Sequence, residues 1–174
     1  MTAGAYAEKG ASLKEVTRIA QKTINNTRTM GVALSPCIIP EVGKPGFTIG
    51  EDEMEIGMGI HGEPGINRGK LRSADETVEI MMNHTFEDFQ YKEGDEVTVL
   101  INGLGATPLE ELYIINRKVH KILGKKGIRV FKTYVGEFAT AMEMTGMSIS
   151  LLKMDDELKK LITAPCLSPF FEQQ

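Results

Sequence analysis

Glu55-Ile56-Gly57-Met58-Gly59-Ile60-His61-Gly62-Glu63-Pro64-Gly65 reads as an alternating strand that runs into a turn. Ile56, Met58 and Ile60 fall on one face, and Gly57, Gly59 and His61 on the other, because side chains alternate along a strand. Two residues without side chains share the face of His61 and leave room there for something to approach. Gly62 and the Pro64-Gly65 pair then force a turn directly after the imidazole. The strand is expected to run from Met54 to His61.

The chain around this stretch alternates helix and strand. Residues 2–9 read as the tail of a helix stopped by Gly10. A chain that starts on the last turns of a helix suggests a beginning inside a larger protein. Ser12 caps a second helix, with Glu15 completing a capping box and Leu13, Val16, Ile19, Ala20, Thr23 and Ile24 as its apolar stripe, to about Arg28. Gly31 to Cys37 is apolar enough for a buried strand. Ile38 to Gly46 holds two prolines and two glycines and is read as a loop, with a short strand over Phe47 to Ile49.

Downstream, Asn67 to Arg72 (NRGKLR) is a basic loop. Ser73 and Glu76 make a second capping box, opening a helix with Val78, Ile80, Met81, Met82 and Phe86 as its apolar side. Val97 to Ile101 is a strand. Thr107 caps a long helix with Pro108 at its first position, and Gly124 and Gly127 end it. Residues 128–135 form a strand, 137–142 a helical turn and 147–152 another strand. Asp155 caps a short helix over Asp156 to Ile162. Phe170 and Phe171 lie in a proline-containing tail. The expectation is an α/β fold of mixed, α+β-type topology, with one central mixed sheet flanked by helices.

With 174 residues the chain is one domain by length, and long enough to bury a core. A net charge of −4 argues against nucleic acid or an anionic membrane as partner. No apolar run approaches a membrane span, and residues at the N-terminus lack the basic segment and apolar core of a signal peptide. Cys37 and Cys166 lie far apart, and the expectation is two reduced thiols in the cytoplasm. No CxxC or HExxH spacing occurs, so no structural metal is expected.

His61 is the first candidate for chemistry. A histidine serves as a core hydrogen bonder, a metal ligand, a proton carrier or a nucleophile, and here the core or surface reading stands level with a functional one. A neutral imidazole nitrogen attacks a carbonyl carbon when an acceptor holds the other nitrogen. The second candidate is Asn102 to Pro108 (NGLGATP), a glycine-rich link from strand to helix that suits an anion in principle. It lacks Walker and GxGxxG spacing, and a tight connection is the simpler reading. The third is Arg28 with Ser35-Pro36-Cys37, where an inert buried thiol outweighs a nucleophile. His84 and His120 read as surface or structural groups. Met142 to Met147 reads as core filler.

The blocks Thr29 to Cys37 (TMGVALSPC), Gly43-Lys44-Pro45, Glu53 to Gly65 and Asn102 to Gly105 resemble the substrate-binding K subunit of the dihydroxyacetone kinases, over nearly the whole chain. The resemblance implies that residues 1–174 form the C-terminal domain of such a subunit, with an N-terminal domain of comparable length before Met1. It implies that His61 bonds covalently to the carbonyl carbon of dihydroxyacetone as a hemiaminal. Glycerol, lacking a carbonyl, is then rejected by its chemistry. A terminal hydroxyl of the bound ketone receives a phosphoryl group from a nucleotide on a separate L subunit or domain, which also carries the magnesium. In many bacteria the phosphoenolpyruvate phosphotransferase system feeds that donor. No cofactor is then expected on this chain, the subunit is expected to form a homodimer, and the fragment alone is expected to be inactive. The family also contains regulatory paralogues that keep the histidine and sense the ketone without phosphorylating it.

Overall fold

A computed structural model describes residues 1–60 and 65–174. His61, Gly62, Glu63 and Pro64 therefore lie outside the described residues. The elements run, in order, α1 (Thr2–Glu8), α2 (Leu13–Asn25), β1 (Thr27–Ala33), β2 (Ile38–Ile39), β3 (Lys44–Pro45), β4 (Glu53–Ile56) and β5 (Asn67–Lys70). Then come α3 (Ala74–Asp88), β6 (Glu96–Gly103), α4 (Leu109–Lys125), β7 (Arg129–Gly136), β8 (Gly146–Lys153), α5 (Asp156–Ile162), β9 (Cys166–Ser168) and β10 (Phe171–Gln173). Six strands form one sheet in the order β5-β4-β1-β8-β6-β7. It is mixed, as expected: β6 and β7 run parallel, while β4 runs antiparallel to both β1 and β5. Among the described residues, no helix is long and apolar enough to cross a membrane.

The chain divides into two compact units. The larger, Arg28–Leu151, holds the sheet and its main core. Val97, Val99 and Ile101 alternate along β6, and Met147, Ile149 and Leu151 along β8. They meet Val78, Met81 and Met82 of α3 and Leu112, Ile115, Val119 and Leu123 of α4. Both helices thus bury their apolar stripes on one sheet face, and α4 is the crossover that parallel β6 and β7 require. Lys118 sits almost buried on α4 because Glu79 of α3 accepts from it at 2.5 Å. The α3 capping box is formed as the sequence predicts, with Ser73 and Glu76 bonded to each other's backbone N–H. A smaller cluster of Ala33, Cys37, Met58, Leu104, Ala141 and Met144 packs elsewhere in the same unit.

The smaller unit joins Met1–Thr27 to Leu152–Gln174. In it the Thr2 and Thr23 hydroxyls of α1 and α2 bond at 2.8 Å. Arg18 and Lys22 of α2 reach Glu157 of α5 at 2.7 and 2.6 Å. Asp155 caps α5 by accepting from Leu158 N–H, as the sequence predicts. Of the α2 stripe only Ile19 is buried, and Leu13 and Ile24 face solvent.

Several boundaries differ from expectation, each for a tertiary reason. β1 begins at Thr27 and ends at Ala33, because Leu34 and Ser35 N–H turn aside to the carbonyl of Thr145. Phe47 to Ile49 forms no strand, and the loop before it folds on itself by pairing Ile38 with Pro45 and Ile39 with Lys44. Residues 67–70 of the basic stretch are a strand, paired with β4. Thr107 does not cap α4, because its hydroxyl donates to Gly146 O and accepts from Gly146 N–H. Residues 137–142 form no helix: 138–139 bend, and a turn at Met142 is closed by Met144 N–H donating to Ala141 O at 3.1 Å. The tail closes as the β9–β10 hairpin, with Phe170 98% exposed and Phe171 partly covered.

Candidate functional site

The expected strand from Met54 to His61 is shorter than its alternation suggests. β4 stops at Ile56. Gly57 adopts φ +84°, a left-handed conformation that glycine tolerates and other residues resist. A Cβ there would lie 2.6 Å from Ile66 Cγ1 and 2.9 Å from its backbone nitrogen. The glycine is thus required by the return of the chain at Ile66. Gly57 N–H donates to Gly31 O at 2.7 Å, and Met58 O passes so close over Gly31 that a Cβ would meet it at 2.5 Å. Gly31, Gly57 and Gly59, with Ile60, Leu104 and Ser148, line a cavity of about 310 Å³. Gly57 and Gly59 thus line an open space, but Met58 and Ile60, read on the opposite face of a strand, line it too, because β4 has already ended at Ile56 and strand alternation no longer applies. His61 follows Ile60 directly in sequence and lies outside the described residues.

Where the described chain resumes, at Gly65, it is fixed by a residue that the strand pattern did not single out. Glu55 is only 6% exposed. Its Oε1 accepts from Gly65 N–H at 2.7 Å, and its Oε2 accepts from Arg68 Nε at 2.9 Å and Nη2 at 2.5 Å. Burial acts to raise its pKa, but the Gly65 N–H and the Arg68 guanidinium outweigh it and hold the carboxyl below its ordinary range. Next to it, Ile66 N–H donates to Ile56 O at 2.7 Å. A Cβ on Gly65 would lie 2.5 Å from Ile56 O. A sequence signal existed: Glu55 is a charge between the core residues Met54 and Ile56 on a strand. Arg68 was not legible as its partner, because only the β4–β5 pairing sets Glu55 opposite Arg68.

The remaining candidates take structural places. Asn102 is 3% exposed. Its Oδ1 accepts from the N–H of Phe138 and Ala139 at 2.7 and 2.9 Å, and its Nδ2 donates to Ala139 O and Gly103 O. Leu104 and Ala106 N–H donate to Gly146 O and Met144 O. The NGLGATP segment is accordingly a tight connection tied to its neighbours. Arg28 pairs with Asp88 and stacks 4.8 Å over the Phe89 ring, at the opposite end of β1 from Cys37. Cys37 is buried in the smaller apolar cluster, so the two do not meet. His84 faces Glu87 at 3.5 Å, and His120 bonds Thr133 at 3.0 Å. Met144 and Met147 are buried, as filler should be, whereas Met142 is exposed at φ +59°.

Fold and site together define a mixed α/β domain whose central sheet carries a glycine-lined cavity and, nearby, a buried Glu55 paired with the more exposed Arg68. The chain belongs to the Dak1 domain family, which it matches over residues 1–170. It is 47% identical over 170 residues to the dihydroxyacetone-binding subunit DhaK of PTS-dependent dihydroxyacetone kinase 2 of Listeria innocua, covering 98% of this chain and 51% of that protein. The chain thus spans about half the length of that curated relative. Among solved structures, it is similar to a dihydroxyacetone kinase operon co-activator, with TM-score 0.86, 32% identity and coverage of 94% and 51% of the two chains. The dihydroxyacetone kinase of C. freundii matches with TM-score 0.82 and 29% identity, over 94% of this chain and 30% of that one.

Proposed function

We propose that the chain is the C-terminal half of the substrate-binding subunit of a dihydroxyacetone kinase, and that His61 is its covalent substrate anchor. The observation that carries this reading is the GIHGEPG motif at residues 59–65, in a chain 47% identical to a relative named for binding dihydroxyacetone. The glycine-lined cavity reached by Gly59 and Ile60 supports it. One imidazole nitrogen gives its lone pair to the carbonyl carbon, forming a C–N bond. The carbonyl π pair moves to oxygen, which takes up a proton. The other ring nitrogen releases its proton to an acceptor, leaving a neutral hemiaminal. A terminal hydroxyl of the held adduct would then form an O–P bond to the terminal phosphoryl group of a nucleotide, as the bond to the departing nucleoside diphosphate breaks and the hydroxyl proton is released to solvent. That nucleotide, with its magnesium, sits on a separate L subunit or domain. The Listeria relative's PTS-dependent name favours a phosphotransferase system as the ultimate donor. The whole subunit works as a homodimer in the cytoplasm.

The test uses the full-length subunit and dihydroxyacetone labelled with carbon-13 at the carbonyl. The ketone resonance is expected to give way to that of a saturated carbon bonded to nitrogen and oxygen, and His61→Ala is expected to abolish the change. Binding with an intact ketone signal, or an adduct that survives His61→Ala, would sink the anchor.

A second reading, a regulatory paralogue that binds the ketone without transferring phosphate, is favoured by the similarity to the co-activator. Adding the nucleotide-bearing partner separates the two. Phosphorylated product supports the kinase, and adduct without product supports the sensor.

A further inference from the structure

We propose that the protein carries a second ligand site, which takes a small apolar monocarboxylate with its hydrocarbon body inside a cavity and its head on Arg72. The cavity holds about 320 Å³ and lies where the first turns of α3 and α4 meet β1 and β8. It is distinct from the glycine-lined cavity. Val32 and Met147 pack toward α3 and α4 and line the new cavity, whereas Gly31 and Ser148, their neighbours along the same strands, line the other. Side chains alternate faces along a strand, so the two cavities lie on opposite faces of β1 and β8. The new site therefore stands apart from the ketone chemistry proposed above.

The lining sets the chemistry of the ligand body. Val32, Ile115 and Met147 form a buried apolar floor. The two threonine hydroxyls at the cavity are already engaged. Thr107 donates to Gly146 O and accepts from Gly146 N–H, and Thr77 donates to Met54 Sδ at 3.6 Å. A polar body, such as a sugar or a nucleotide, would lose its hydration there without finding an uncommitted hydroxyl. Hydrocarbon loses nothing by the exchange. An apolar cavity of about 150 Å³ takes benzene, and roughly twice that room suits about ten heavy atoms.

The mouth sets the chemistry of the head. Leu71 and Ile114 stand there half exposed, beside the exposed charges of Arg72 and Glu111. Arg72 lies near Glu76 and favours its charge, but the Glu76 carboxylate is committed to the Ser73 hydroxyl and N–H at 2.6 and 3.1 Å. Among the described residues no ion pair occupies the Arg72 guanidinium. Its fork matches a carboxylate in shape and charge. Glu111 repels anions on its own side of the mouth, which disfavours a doubly charged head and sets a single carboxylate toward Arg72.

The test titrates octanoate, octanol and butyrate into the full-length subunit bearing carbon-13 methyl groups on isoleucine, valine and methionine. Octanoate is expected to shift the Val32, Ile115 and Met147 methyl signals saturably and to leave Ile19, in the other compact unit, unmoved. Octanol should bind about threefold to tenfold more weakly for want of the charge. Butyrate should bind more weakly than octanoate by on the order of a hundredfold for want of four methylenes. Arg72→Gln should lower octanoate to the affinity of octanol without altering octanol, and Glu111→Gln should tighten octanoate. Both side chains are exposed, so both variants keep the fold. Absence of saturable shifts at the three methyls, or shifts spread over both units, overturns the site. Octanol binding as tightly as octanoate, or octanoate unmoved by Arg72→Gln, overturns the carboxylate class and marks the cavity as a seat for an apolar side chain of another protein.

Discussion

Asn102 shows how one side chain can fix a connection that looks like a ligand loop. Its amide satisfies two backbone N–H groups after β7 and donates to two carbonyls. Asn102→Ala removes a buried side chain that ties the exposed Phe138 and Ala139 backbone to β6, where each net hydrogen bond is worth about 0.5–1.5 kcal/mol. We expect a loss of about 1–3 kcal/mol in denaturant unfolding, with an unchanged slope. Asn102→Asp keeps the acceptor for Phe138 and Ala139, loses the donors and introduces a buried charge, so it should not restore the wild type. Gly31 makes the steric counterpart. Gly31→Ala sets a methyl 2.5 Å from Met58 O and must displace the segment that leads to His61. Binding of the ketone should fall more than stability does, which titration calorimetry beside thermal melts would reveal.

Among elements, the clearest consequence lies in the pairing of α2 with α5. Glu157 accepts from Arg18 and then from Lys22, and these bonds pull its pKa from 4.5 to about 2. A carboxylate depressed in the folded state stabilises fully above its unfolded value. The contribution is lost as pH falls from 4.5 through about 2. Thermal melts of wild type and Glu157→Gln should differ most at neutral pH and converge on acidification toward about 2. Glu157 is partly exposed, so added salt should also narrow the gap. The capping box on α3 carries a second expectation. Ser73→Ala removes the side chain that accepts from Glu76 N–H and should cost about 1 kcal/mol, read by chemical denaturation.

For the whole molecule, stability should centre on the packed face of the sheet in the larger unit. Val97, Val99, Ile101, Ile149 and Leu151 are fully covered by α3 and α4. Their amides should be among the slowest to exchange in native-state hydrogen exchange, and those of the exposed β9–β10 hairpin among the fastest. Ile149→Ala should cost about 2–5 kcal/mol through lost transfer energy and the cavity left behind.

The sequence by itself determined whatever depends on near neighbours. Ser73 with Glu76, Asp155 before Leu158, and Gly10 and Gly127 at positive φ each act within a few residues, and each was legible. Helical and strand periodicity likewise exposed the mixed α/β class and the residues of the main core. The alternation over Ile56 to Ile60 misled, because the strand ends at Ile56 and Met58 and Ile60 line the same cavity as Gly57 and Gly59. Tertiary structure decided where distant segments meet. Gly57 ends β4 because Ile66 returns against it, Thr107 leaves its helix because Gly146 lies within reach, and Glu55 finds Arg68 only through the pairing of β4 with β5. The reason is physical: a cap or a periodic stripe is a local conformational preference, whereas a close approach or a cross-strand ion pair exists only once the chain has folded back on itself.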